Sequence, residues 1–467
     1  MVFSSIQFLF YFMPIVMVGY FLTPDEHKNK TLFVSSIIFY FIGEPVYVFL
    51  LLFSILIDYY HSSIIDVHYG KRKAKITLIS SIVMNVGLLS FFKYSDFILQ
   101  NINSLLSTDI PLLKIPLPIG ISFFTFQTMS YTIDVYRGKA KAQKSFLGLG
   151  TYVSLFPQLI AGPIVRYQDV SSDLLQRQHS FEKVYYGLTR FMVGLSKKVI
   201  FANSFGILAN EIIEATQPDV LLYWLSAAAY MLQIYYDFSG YSDMAIGLGS
   251  IFGFQFPENF RYPYSAGSIT EFWRRWHITL GQWFRDYVYV PLGGSRNGSL
   301  KTGFNLLVVW GLTGLWHGAS WNFIIWGIGF AVILGLEKAV ILRILEKMPR
   351  SFRHFYVIIL VMLSFVVFRF DDLKIVLSVY QGMFGFLDIP AFSHESLYHL
   401  KSYIILFIIG GIGATPIIAH NITKTIKHMK GAKWLVVLEA AGLGFLYLLS
   451  ASYLVDDSFN PFLYFRF

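Results

Sequence analysis

The chain has 467 residues, of which 55% are hydrophobic, 18% aromatic and only 14% charged. A soluble domain carries about 25% charged residues, so this composition cannot cover a water-facing surface of ordinary size. It excludes a disordered chain, a nucleic-acid binder and a soluble two-domain enzyme. The net charge of +9 fits cytoplasmic loops beside anionic headgroups. With no cysteine there is no disulfide framework, thiolate metal site or cysteine nucleophile.

A helix needs about 20 apolar residues to cross the hydrocarbon core. In chain order the clear candidates are Val2–Leu22, Ile76–Phe92, Phe355–Phe370, Ser402–Ala419 and Trp434–Tyr453. The first has no basic residues ahead of it and no clear small-residue cleavage site, so it reads as a retained span. Thr31–Tyr60 is too long for one crossing, and Gly43-Glu44-Pro45 interrupts it, which predicts two short helices in a hairpin. Ile115–Val135, Tyr152–Val165, Val184–Ile213, Leu221–Phe256 and Lys301–Leu336 are long but broken. The expectation is an all-α polytopic membrane protein of about 11–13 helical segments, some of them re-entrant. One membrane domain, 1–467, divides into N-terminal helices (1–147), a core (148–336) and C-terminal helices (337–467).

Loop charge sets the orientation. His61–Lys75, Asp134–Leu147, Glu337–Phe355 and His420–Lys433 are basic, whereas Tyr94–Ile115 and Asp371–Lys401 carry more acid than base. The positive-inside rule puts the first four in the cytoplasm and the last two outside. Counting crossings back from the basic loops places both termini outside.

The middle third departs from a plain lipid-facing bundle. Phe156–Pro163, Tyr236–Asp243 and Phe256–Tyr264 are dense in proline, glycine and charge. Irregular backbone survives at membrane depth only where protein buries it or water lines it, and ionisable groups there face a cavity or pathway. A transporter and an enzyme both satisfy that. Of eleven histidines, only His277 and His317 fall inside Trp-rich segments, Glu271–Asp286 and Trp310–Phe323. Gly314 and Gly318 flank His317, so another backbone or a ligand approaches closely. Burial favours a neutral imidazole able to accept a proton. On pattern alone a helix–helix hydrogen-bonding role for His317 stands beside a catalytic one.

Several segments together resemble the membrane-bound O-acyltransferases, and within them the bacterial alginate O-acetylation type. They are Trp273–Leu280 followed by Asp286–Arg296, then Gly314–Phe323, Tyr235–Gly247, Phe156–Pro163 and the C-terminal Phe459–Phe467. The resemblance implies a tunnel across the membrane with His317 as its catalytic histidine. His277 matches a second histidine of the bacterial branch, for which a supporting role and direct chemistry both stand. Acyl transfer from a thioester needs a base to activate a hydroxyl and donors for the developing oxyanion; His317 suits the base, and an acyl-histidine intermediate is the alternative.

Asn322, five residues on, orients the imidazole if the backbone bends at Gly318, or is a buried amide satisfying backbone. Trp316 belongs to the same supporting set. Asp237, Ser239 and Asp243 form a polar knot that braces the site, an arginine being the expected partner. The donor the family implies is cytosolic acyl-CoA, most simply acetyl-CoA. Arg274, Arg275 and Arg285 suit its phosphates, as do Lys197 and Lys198; headgroup anchoring is the plainer reading of each. No metal or bound cofactor is expected, nor any nucleic acid. By the resemblance, an extracytoplasmic serine (SGNH-type) acyltransferase partner receives the acyl group and modifies a polysaccharide, with the chain in a bacterial inner membrane. D-alanyl transfer from a carrier protein to a wall polymer is one alternative, and a non-enzymatic transporter of an acylated carrier is another.

Overall fold

The computed structural model describes residues 1–213, 215, 217–296, 298–421 and 433–456. Among these residues every regular element is helical. Seven helices among them are long and apolar enough to cross a membrane, and Phe8–Leu22 is a shorter apolar helix. The chain is an all-α, multi-pass membrane protein.

The N-terminal helices are α1 (Phe8–Leu22), α2 (Lys28–Gly43), α3 (Val48–Val67), α4 (Arg72–Leu106) and α5 (Ile121–Tyr136). The hairpin predicted within Thr31–Tyr60 is α2 and α3, with the break at Glu44-Pro45. Helix α4 continues past the apolar stretch to Leu106, because the polar residues after Phe92 are still competent helix formers. Helices α6 (Phe181–Ile213) and α7 (Val220–Ile251) follow. Next come two short helices, α8 (Ile269–Trp273) and α9 (Ile278–Phe284). The chain then forms α10 (Gly298–His317), α11 (Trp321–Lys347), α12 (Arg350–Arg369), α13 (His394–Gly413) and α14 (Lys433–Asp456). The lysines Lys424, Lys427 and Lys430 and the C-terminal match Phe459–Phe467 lie outside the described residues.

By internal contacts the chain divides into two compact units, Met1–Phe191 with Ser242–Glu258, and Met192–Tyr241 with Asn259–Phe467. In the first unit the rings of Phe8, Phe12, Phe39 and Phe156 pack with centroids 5.4–6.2 Å apart. Asp58, fully buried on α3, accepts hydrogen bonds from Ser81 Oγ (2.6 Å) and Asn85 Nδ2 (2.7 Å) of α4, which compensate the carboxylate for lost water. A Cβ on Gly187 of α6 would stand 2.5 Å from the carbonyl oxygen of Gly247 on α7. The helices therefore cross backbone to backbone, as small residues permit in membranes. Arg190 of α6 locks the crossing, bonding Asp243 of α7 at 2.7 and 3.0 Å and Glu258 at 2.6 Å.

The second unit holds the Trp-rich segments. Its own portion of α6 and α7 repeats the device: Gly240 lies against Gly194, where a Cβ would meet the carbonyl oxygen at 2.7 Å. Lys198 Nζ pairs with Asp237 Oδ1 at 2.7 Å, both side chains 2% exposed. Helices α10 and α11 form the tightest hairpin. A Cβ on Gly314 would lie 2.3 Å from the Phe323 oxygen, and one on Gly327 2.2 Å from the Trp310 oxygen.

Candidate active site

The site is built where irregular backbone meets the α10–α11 hairpin, all within the second unit. After α7 the chain runs through Phe256–Ser268 without extended helix, and its polar groups are met by protein. Ile278 N–H donates to Asn259 O and Arg261 N–H to Arg275 O, both at 2.9 Å. Helix α8 begins under two acceptors. Ser268 Oγ takes the Glu271 N–H at 3.0 Å, and the buried Glu337 carboxylate of α11 takes the N–H groups of Ile269 (2.6 Å) and Thr270 (2.7 Å). An anion at the helix start satisfies its orphan donors, so α11 positions the segment that carries Trp273 and Arg274.

That segment turns at His277, whose backbone is left-handed at φ 45°, ψ 52°. A non-glycine residue there costs about 1–2 kcal/mol, and the turn separates the α8 stretch from α9. His277 Nδ1 lies 3.3 Å from Asn259 Oδ1, which also receives Thr279 N–H (3.2 Å) and Thr279 Oγ1 (2.9 Å).

His317 is the last residue of α10. Gly318-Ala319-Ser320 breaks the helix, and α11 starts at Trp321. The Gly318 position admits no side chain, since a Cβ would stand 2.2 Å from the Phe323 ring. The imidazole is 7% exposed and packs edge-on to Trp316 (5.0 Å), Trp326 (5.2 Å) and Phe368 (5.2 Å). Trp316 also meets His277 at 5.8 Å. The two histidines, forty residues apart, thus share one indole.

A cavity of about 670 Å³ opens beside His277, and neither His317 nor Trp316 is among the residues that line it. His277, Trp273 and Trp310 line it with Thr313, one turn before His317 on α10, and Arg274, Arg285 and Lys338 supply its cations. Those three cationic residues are exposed. Arg285 leans on Asp286 at 3.3 Å. Leu280, Leu306, Leu334 and Leu342 make the rest of the wall largely apolar.

The other residues singled out from sequence distribute unevenly. Arg275 does not line the cavity: its guanidinium holds Glu271 and, at 2.9 Å, Ser265 Oγ. Lys198 is committed to Asp237, so the partner of that aspartate is a lysine and not the expected arginine; the arginine Arg190 belongs to Asp243. Ser239 is buried on α7 between the two carboxylates in sequence. Asn322 sits in the first turn of α11, fully buried, and donates to the carbonyls of Val367 (3.3 Å) and Phe368 (3.5 Å). It braces the backbone of the residue whose ring walls His317. Asn259, Glu337, Lys338, Trp326 and Phe368 were not singled out from sequence. Asn259 lay in a stretch already marked as unusual, whereas nothing along the chain ties Glu337 to α8. Among the described residues no group of three His, Asp or Glu side chains is arranged to hold a metal ion.

The model of the membrane-bound O-acyltransferase family matches residues 124–380, more than half of the chain. The "Probable alginate O-acetylase" of Azotobacter vinelandii is 36% identical over 100% of both chains. The peptidoglycan O-acetyltransferase of Helicobacter pylori is 34% identical over 82% of this chain and 80% of its own. The teichoic acid D-alanyltransferase of Bacillus subtilis is 29% identical over 46% of this chain and 58% of its own. With its family signature spanning both Trp-rich segments and its length shared with the bacterial O-acetylases, the chain belongs to the membrane-bound O-acyltransferase family.

Proposed function

We propose that this O-acyltransferase takes an acyl group, acetyl above all, from cytosolic acyl-CoA and moves it through the membrane for O-acetylation of an extracytoplasmic polysaccharide. A secreted SGNH-type serine acyltransferase receives the group on the outer side. The observation that carries this reading is the cavity with Arg274, Arg285 and Lys338 among its lining and His277 in its wall. Lys338 belongs to the basic stretch Glu337–Phe355, which the positive-inside rule assigns to the cytoplasm. Cations there suit the phosphates of coenzyme A, and the leucine-lined remainder suits its pantetheine arm and a short acyl group. The volume lies within the range of about 300–1,000 Å³ typical of small-molecule sites.

The chemistry follows from His317 at the α10 terminus. An acceptor hydroxyl attacks the thioester carbonyl carbon while the imidazole takes its proton. The C–S bond then breaks, and the departing thiolate receives the proton. The aromatic shell of Trp316, Trp326 and Phe368 keeps water from competing as acceptor. Asn322 holds the Phe368 backbone, and the Lys198–Asp237 and Arg190–Asp243 pairs hold α6 to α7 within their own units. The names of the full-length relatives support a polysaccharide or peptidoglycan acceptor, reached outside a bacterial inner membrane with both termini on the outer side.

The test is purified protein in lipid nanodiscs incubated with acetyl-CoA labelled in the acetyl group. Coenzyme A release is expected, and His317→Ala should lower it by about 10²–10⁴-fold, the usual contribution of a general base. Turnover only when an acyl-carrier protein is supplied would favour the D-alanyl-type donor. Unimpaired polymer acetylation in cells carrying His317→Ala would refute the catalytic reading in favour of a transporter.

A further inference from the structure

We infer that Asn259 fixes the tautomer of His277, so that Nδ1 carries the proton and Nε2 is presented to the cavity as a hydrogen-bond and proton acceptor. The inference rests on the reading of that cavity as the donor site only for what Nε2 meets, not for the tautomer itself. Asn259 is 2% exposed, and its side-chain orientation is dictated by chemistry. The Thr279 backbone N–H, 3.2 Å away, can only donate, so the Asn259 atom facing it is the amide oxygen. His277 Nδ1 faces that same oxygen at 3.3 Å. A ring nitrogen against a pure acceptor must bear hydrogen, and a neutral imidazole has only one N–H. The lone pair is therefore on Nε2.

The backbone enforces this geometry twice. Ile278 N–H bonds Asn259 O at 2.9 Å, which ties the two residues through the main chain. The left-handed turn at His277 lets the chain start α9 with Thr279 on the same side-chain oxygen as the imidazole. Strain at such a residue persists only where its surroundings over-determine it. His277 lines the cavity and its Nδ1 is turned to Asn259, and the inference assigns the remaining ring nitrogen, Nε2, to an occupant. Burial favours the uncharged ring and holds its pKa well below the ordinary imidazole value. The charged groups that share the cavity are Arg274 and Arg285 of its own stretch and Lys338 of α11; Arg275 is held by Glu271, and Phe260 and Trp316 present uncharged rings. A neutral Nε2 accepts from the amide N–H groups of a pantetheine arm. The opposite tautomer would set a donor against a donor.

Asn259 is thus a positioning residue acting through His277, and nitrogen NMR reads the claim directly. Protein labelled with ¹⁵N-histidine is placed in nanodiscs, and the His277 signals are assigned by their loss in His277→Asn. Wild type is expected to show a protonated Nδ1 and an unprotonated Nε2 at neutral pH. Asn259→Ala should mix the tautomers, and Thr279→Val, which keeps the backbone donor, should leave them unchanged. Asn259→Asp sets a carboxylate against Nδ1 and stabilises the imidazolium. Its protonation, and the acid limb of kcat/KM for acetyl-CoA, should move up by about 1–3 pH units. A wild-type spectrum with the proton on Nε2 overturns the inference without any variant, as does an unchanged tautomer ratio in a folded Asn259→Ala protein. The expected tautomer together with wild-type turnover in His277→Ala would uphold the lock and overturn the donor-cavity reading instead.

Discussion

Gly327→Ala tests whether the close α10–α11 crossing holds the site. The new Cβ would sit 2.2 Å from the Trp310 oxygen and 3.1 Å from its carbon, against ordinary contacts of 3.4–4 Å. Both are backbone atoms and cannot swing aside, so α11 must retreat from α10 by about 1 Å. Overpacking of this kind costs about 1–3 kcal/mol, and the better helix propensity of alanine returns about 1 kcal/mol. The net expectation is a destabilisation of up to about 2 kcal/mol. Function should suffer more than stability, because the neighbouring Trp326 ring packs on His317 at 5.2 Å and moves with the helix. A misplacement of about 1 Å near reacting groups costs on the order of 10²-fold in rate. The assay is kcat/KM for coenzyme A release beside the unfolding temperature, both in nanodiscs. Gly329→Ala is the control on the same helix, since nothing lies within 4 Å of its Cβ position; it should keep full activity and gain up to about 1 kcal/mol. Equal activity and stability in Gly327→Ala and Gly329→Ala would refute the reasoning.

Two further perturbations separate binding from bracing. Arg274→Ala should raise KM for acetyl-CoA several-fold with kcat little changed, and the KM of wild type should rise with salt. Arg275→Ala, which removes the ion pair with Glu271 and the hydrogen bond to Ser265 Oγ, should instead lower the unfolding temperature with KM near wild type; steady-state kinetics over a salt series and thermal unfolding read the two. Lys198→Met leaves Asp237 buried opposite an uncharged side chain and should destabilise by about 3–5 kcal/mol. The double variant Lys198→Met, Asp237→Leu should recover most of that loss by thermal unfolding, because removing both charges removes the desolvation cost together with the attraction.

Much of the architecture was legible along the chain. A charged fraction too small for a soluble surface specified a membrane protein, and the proline after Glu44 divided α2 from α3, because a ring in place of an N–H ends a helix. The two Trp-rich segments announced His277 and His317 as unusual, since imidazoles and glycines in apolar runs have few bland uses. What the chain could not show were the pairings. Lysine and arginine look alike as partners for Asp237 and Asp243 until the α6–α7 crossing brings Lys198 to one and Arg190 to the other. Arg274 and Arg275 are adjacent and chemically identical, yet one lines the cavity and the other holds Glu271.

The same limit governs the site itself. The sequence by itself determined which residue types were present and that some lay in surroundings hostile to polar groups, because burial and periodicity are written in local composition. Only the tertiary structure decided that α10 stops at His317, that a single left-handed residue turns the chain at His277, and that one indole meets both imidazoles. Those outcomes depend on a few backbone angles and on helix crossings set by residues far away, such as Gly327 against Trp310 and Glu337 beneath Ile269. Hydrophobic pattern constrains neither.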